Sequence, residues 1–245
     1  MRIRCLDTFA LALALSTAAA CGGGGGGGDD DPDIDAPSTA PITITVSGQA
    51  RELTAGGANP VEGVAIAAFK SSDEATPIAT ATTDAQGMYS LTVMTDGPLD
   101  GYIRAKKAGL VDTYLYAPAP LDADFSNGSI NMVSKSTYDL LSTLCQANQD
   151  AAKGTIAVLV ADGIGTDAKG VMGATVASTP AATKVCYNSG GLPSAGATAT
   201  ATDGIAYLFN VTGEASVSAT KAGSTFKSHG VKARAGTLTT TPITP

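Results

Sequence analysis

The chain has 245 residues, a formal net charge of −7, 5% aromatic residues and no tryptophan, and its Lys and Arg are scattered. Without a basic patch it is not a nucleic-acid binder, and without tryptophan it lacks the commonest stacking surface of sugar-binding modules. Its 29 glycines and 12 prolines, with frequent Thr, Val and Ala, favour short strands and turns over helices.

Arg2 and Arg4 precede an apolar run, Phe9 to Ala20. It is too short for a transmembrane helix, which needs about 20 residues. Ala18-Ala19-Ala20 supplies the small residues of a cleavage site, so residues 1–20 read as a secretory signal peptide. Cys21 follows. A signal that ends in small residues before a Cys resembles a bacterial lipoprotein signal, in which the thiol is acylated and becomes the new N-terminus. Ala18 departs from that pattern, which prefers Leu there. The resemblance implies lipidation at Cys21. It also implies export and anchoring in the bacterial cell envelope, at the outer membrane or cell surface.

Residues 21–41 read as a disordered tether. Gly22 to Gly28 have no side chains to bury, and Asp29, Asp30, Asp31, Asp33 and Asp35 repel one another. The aspartates lack the spacing that wraps a calcium ion. Without the signal the charge is about −8, of which the tether carries five, so the body is near −3.

Four cysteines reduce to two. Cys5 leaves with the signal and Cys21 takes the lipid. Cys145 and Cys186 remain, an even pair in an oxidising compartment. A disulfide between them closes a loop of about 40 residues, worth roughly 4 kcal/mol; the alternative is two free buried thiols. A zinc site needs more ligands than this pair and His229, so neither metal nor cofactor is expected.

From Ile42 on, alternation predicts strands. Ile42–Val46, Val64–Phe69, Ile78–Thr82, Met88–Val93, Tyr102–Lys106, Val111–Tyr116 and Ser129–Val133 make the first set. Ser136 and Asp139 read as a capping box for a helix over 136–151, closed by Lys153 and Gly154. The second set is Thr155–Ala161, Val171–Ala177, Lys184–Tyr187, Ala197–Thr202, Tyr207–Val211, Ala215–Thr220, Lys232–Ala233 and Leu238–Ile243.

The second set repeats the first. Val61-Glu-Gly63 matches Val171-Met-Gly173, and Lys106-Lys-Ala-Gly109 matches Thr220-Lys-Ala-Gly223. Thr-Asp84-Ala-Gln-Gly87-Met-Tyr89 matches Thr-Asp203-Gly204-Ile-Ala-Tyr207, with the glycine moved. Asp84 and Asp203 therefore read as turn residues: Asp accepts hydrogen bonds from nearby N–H groups and Gly supplies a positive φ. A metal or catalytic centre would tolerate a moved glycine badly.

These blocks resemble the carboxypeptidase regulatory-like family. The resemblance covers residues 42–117 and 154–245 through loose motifs. It implies an all-β chain of two tandem prealbumin-like (Ig-like) antiparallel β-sandwiches, of the carbohydrate-binding-like fold class. The segment 118–153 is then a linker with one short helix. In metallocarboxypeptidases such a domain sits beside a zinc catalytic domain; with a single His, this chain has the accessory part without the enzyme.

Signals for chemistry are weak. Ser218-Ala-Thr-Lys221 has the spacing of an acyl-enzyme motif but sits on a predicted strand, without the partner motifs. Tyr114 and Tyr116 share one strand face, with Asp112 beside them. They make either a solvent-facing sugar platform or part of a core. The expected function is a non-catalytic envelope module of structural, scaffold or adhesin-like type. The alternative is recognition of an envelope or external polysaccharide. The expected partners are the membrane, through the anchor, and a polysaccharide or envelope protein.

Overall fold

A computed structural model describes residues 41–54, 57–165 and 167–245. The signal, Cys21 and the tether lie outside the described residues. The first half runs β1 (Ile42–Thr54), β2 (Gly57–Pro60), β3 (Ala65–Lys70), β4 (Ala79–Thr82), β5 (Met88–Thr95), β6 (Gly101–Lys106), β7 (Thr113–Tyr116), β8 (Ile130–Met132) and helix α1 (Lys135–Leu144). The second half is β9 (Gly154–Val160), β10 (Thr175–Thr179), β11 (Lys184–Ser189), β12 (Leu192–Ser194), β13 (Ile205–Val211), β14 (Gly213–Thr220), β15 (His229–Ala233) and β16 (Leu238–Ile243). The described residues are all-β with one short helix.

The halves share a topology. β1 pairs antiparallel with β5 and parallel with β8; β9 pairs antiparallel with β13 and parallel with β16. Likewise β3-β6-β7 and β10-β14-β15 are antiparallel ladders. The halves are joined through a sheet. β16 pairs in parallel with β7 as well as with β9, giving a nine-stranded sheet in the order β12-β11-β13-β9-β16-β7-β6-β3-β4. The described residues form one compact unit.

Each half covers a different face of that sheet. In the first half, Ile44, Val46, Leu91 and Val93 of β1 and β5 pack on Ile66, Ala68, Ile103 and Ala105. In the second, Val176, Val217 and Val231 pack on Ile156, Val158 and Leu208 from the opposite side. So β9 (GTIAVLV) is apolar on both faces, but Leu159, on the face away from Ile156 and Val158, stays exposed.

Three expectations change. The helix is Lys135–Leu144 and not 136–151. Its N-cap is Ser134, whose Oγ accepts from the Thr137 N–H at 3.2 Å, not Ser136. It stops where Cys145 is tied to β11 and Gln146 takes φ +52, and Gly154 instead opens β9. Residues 197–202 are not a strand. Thr200 there accepts from the Ala174 N–H at 2.9 Å and donates to the Val171 carbonyl at 2.6 Å, so its hydroxyl serves a turn. Finally, two further short strands, β2 and β12, lie outside the predicted strands.

Candidate functional site: an apolar cleft between the halves

The turns at the repeats are a matter of backbone. Asp84 Oδ1 accepts from the N–H groups of Gln86 at 2.9 Å and Met88 at 2.8 Å, and Gly87 N–H donates to the Asp84 carbonyl at 2.8 Å. Tyr89 enters the core and its hydroxyl donates to the Gly128 carbonyl. In the second half Gly204 takes the part of Gly87. Ala50 N–H donates to Gly87 O and Val160 N–H to Gly204 O, both at 2.8 Å. The φ values are +71 and +70. A Cβ would lie 2.5 Å from Ala50 O in one and 2.2 Å from Val160 O in the other. The glycine is therefore fixed and the acid moves, the reverse of the sequence alignment. Ala201 stands where Asp84 does, and Asp203 reaches the turn from a new position, accepting from Ile205 N–H at 3.2 Å and Asn188 Nδ2 at 2.7 Å.

The tyrosine platform is corrected. Tyr114 and Tyr116 are 8% and 6% exposed. Strand β7 lies inside the nine-stranded sheet with both its edges paired. The Arg234 guanidinium lies 4.1 Å from the Tyr114 ring centre and 4.6 Å from that of Tyr102. It also donates to the Tyr116 hydroxyl at 3.2 Å and pairs with Glu74 at 3.2 Å. Burial pushes the Tyr116 hydroxyl up to about 12, against that hydrogen bond. Asp112 pairs with Lys106 at 2.9 Å. No ring face is left for a sugar. These residues belong to the core cluster that the second half builds on that face of the sheet.

The opposite overhang stays open. Past β7, the face that packs on the first half continues over β16, β9 and β13 as Thr240, Pro242, Ala157, Leu159, Ile205 and Tyr207, by the strand registers. Above it stand residues 125–133 of the first half, Thr137 and Leu141 of α1, and the loop at Ile164. Together they line a cleft of about 560 Å³, within the range of small-molecule and peptide sites, roughly 300–1,000 Å³. Leu159 is 40% exposed and Ile164 54%. Arg51 is the only charged side chain in the lining.

The disulfide packs against Leu141, Ala157, Ile205 and Tyr207 of the cleft lining. Cys145 and Cys186 are bonded, with sulfurs 2.06 Å apart, and pack with Tyr207 and Phe209. Burial, then the negative charge of Asp203, pushes the Tyr207 hydroxyl up to about 12, against a hydrogen bond with Asn188. His229 lies elsewhere, with Nε2 2.6 Å from Thr241 Oγ1. Among the described residues, no group of three His, Cys, Asp or Glu is placed to hold a metal. No described helix is long and apolar enough to cross a membrane.

Sequence reasoning missed the cleft because its lining comes from distant segments. The available signal was β9, apolar on both faces where a sandwich strand needs one.

No family model matches the chain, and no curated protein does. Among solved structures it is similar to the Bacillus anthracis TIE protein, at 9% identity and a TM-score of 0.27. That match covers 82% of this chain and 34% of the other, so the chain spans about a third of that protein's length. It is similar to GBS52, the minor pilin of Streptococcus agalactiae, at 12% identity and a TM-score of 0.28, covering 82% and 94%. It is also similar to the shaft pilin spaA of Lactobacillus rhamnosus GG, at 13% identity and a TM-score of 0.26, covering 83% and 98%.

Proposed function

We propose that this chain is a non-catalytic, lipid-anchored module of the cell envelope that holds a protein partner in the cleft between its halves. The observation that carries the reading is the cleft itself. It is apolar, about 560 Å³ in volume, and has one charged side chain in its lining. Two large apolar side chains, Leu159 and Ile164, stand exposed there, which is the mark of a contact surface. Acid–base or nucleophilic chemistry needs convergent titratable groups, and among the described residues the lining offers none beyond the Tyr102, Tyr116 and Tyr207 hydroxyls and Arg51. Cys21 supplies the anchor in this reading, and the Gly/Asp tether lets the body stand off the membrane.

Two measurements test it. An alkyne fatty-acid label is expected on the native chain and absent from Cys21→Ser, which should leave the membrane fraction. A photo-crosslinking residue at Ile164 should give a discrete protein adduct in intact cells, while one at exposed Met172 should not. Equal labelling at both positions would reject the cleft as the contact surface.

A further inference from the structure

The internal repeat shows what kind of partner the cleft fits. β7 has two neighbours, β6 antiparallel and β16 parallel. Its counterpart β15 pairs with β14 and, among the described residues, ends its sheet. β16 also has two neighbours, β9 and β7. Its counterpart is the stretch that runs through Phe125 to β8, and among the described residues this pairs as a strand with β1 alone. The parallel joint that welds the two halves thus has both its edges present a second time, and among the described residues neither has a strand beside it.

Backbone directions agree. Phe125 N–H donates to Thr45 O and Phe125 O accepts from Ser47 N–H, both at 2.9 Å. Both groups face β1, so the N–H of the next residue, Ser126, faces outward. On β15, Lys232 O accepts from Thr239 Oγ1 at 2.9 Å, outside the ladder to β14. Gly230, two residues earlier, presents its own N–H and C=O on that same outer side. Lys227 N–H is already taken by Thr244 O at 3.0 Å, which leaves Ser228–Gly230 as the open stretch. Phe125, Asn127, Ser129 and Asn131 line the cleft, so a strand added at this edge lies over its floor and covers Leu159 and Ile164.

We infer that the cleft takes β15 of a second copy of this chain, in a parallel head-to-tail joint that repeats the β7–β16 pairing. This deepens the reading of the cleft as a contact surface by naming its partner. The two edges differ, so the contact is heterologous and does not close on itself at two copies.

The test uses the full chain carrying Cys21→Ser, which adds no lipid of its own. Sedimentation over rising concentration should show species growing past the dimer without a plateau. Ser126→Pro removes the outward donor of one edge, and Gly230→Pro that of the other. Each variant alone should be monomeric. Their equimolar mixture should form dimers and nothing larger, because one good edge of each kind remains. Two unfolded proteins cannot complement each other in this way, so the mixture separates edge loss from misfolding. A wild-type chain that is monomeric throughout, a wild-type dimer that stops at two, or a mixture that stays monomeric would each overturn the proposal. A persistent Ile164 adduct in cells with a monomeric chain would show a foreign partner in the cleft. It would leave the broader reading intact while rejecting the second copy.

Discussion

The repeated turn separates what a residue contributes from what its neighbours tolerate. Gly87 holds φ +71 with a carbonyl where its Cβ would be. Gly87→Ala should therefore cost about 2–4 kcal/mol, the sum of a left-handed backbone and overpacking against β1. Asp84→Ala removes only a side-chain acceptor in a turn whose counterpart has Ala201, and should cost about 1 kcal/mol. Urea midpoints of the two variants rank these effects, and equal losses would contradict the assignment. His229 gives a pH-dependent case. Burial holds its imidazole below the ordinary 6.5, against a backbone hydrogen bond at Lys227. The unfolded chain then binds a proton that the folded chain refuses. Stability is full above pH 6.5 and falls as the pH drops toward the folded pKa, by at most about 1.4 kcal/mol per pH unit for one proton. His229→Gln should flatten that slope in urea titrations run across this window. An unchanged slope would assign it to other groups.

At the scale of elements, strands whose alternation reports burial were legible, and elements held by distant partners were not. Ile42–Val46 and Met88–Val93 alternate, and β1 and β5 include them. The helix was misjudged at both ends, because Ser136 and Lys153-Gly154 carry the usual local signals while Ser134 and the Cys145–Cys186 bond decide the outcome. The cleft was illegible for the same reason: β9, α1 and residues 125–133 meet only once β16 has paired with β7. The bond itself was readable from cysteine parity. Its contribution goes beyond loop entropy, because α1 has ten residues and buries only Tyr138 fully. An isolated helix of that length is marginal, since about 12–15 residues are needed in water. Replacing both cysteines by serine should cost roughly 4 kcal/mol. It should remove the helical circular-dichroism signal at a lower denaturant concentration than the strand signal. Simultaneous loss of both signals would mean that α1 is held by packing alone.

The whole molecule is set by one joint. β16 is the last strand in sequence and the centre of the widest sheet, with β9 on one edge and β7 on the other. Without β16 the nine-stranded sheet breaks between β9 and β7, and the second half cannot bury the far edge of β16 without β7. Arg234 adds to this from the other face. It follows β15 and stacks on Tyr102 and Tyr114 of the first half, while Lys232 of β15 pairs with Glu74 of the first half at 2.6 Å. Such a molecule should open as one unit although its sequence is a tandem repeat. Native-state hydrogen exchange is the direct measure. The slowest amides of β1 and β5 should share one opening free energy with those of β9 and β13. Arg234→Ala removes two ring contacts and an ion pair, and should lower both groups by the same amount, about 2 kcal/mol. If the first-half amides kept their protection while those of the second half lost theirs, the halves would be independent domains and the joint only a contact. A common shift would make β16 the strand on which both halves depend. A copy added at the free edges would then extend a cooperative unit and would not merely touch it.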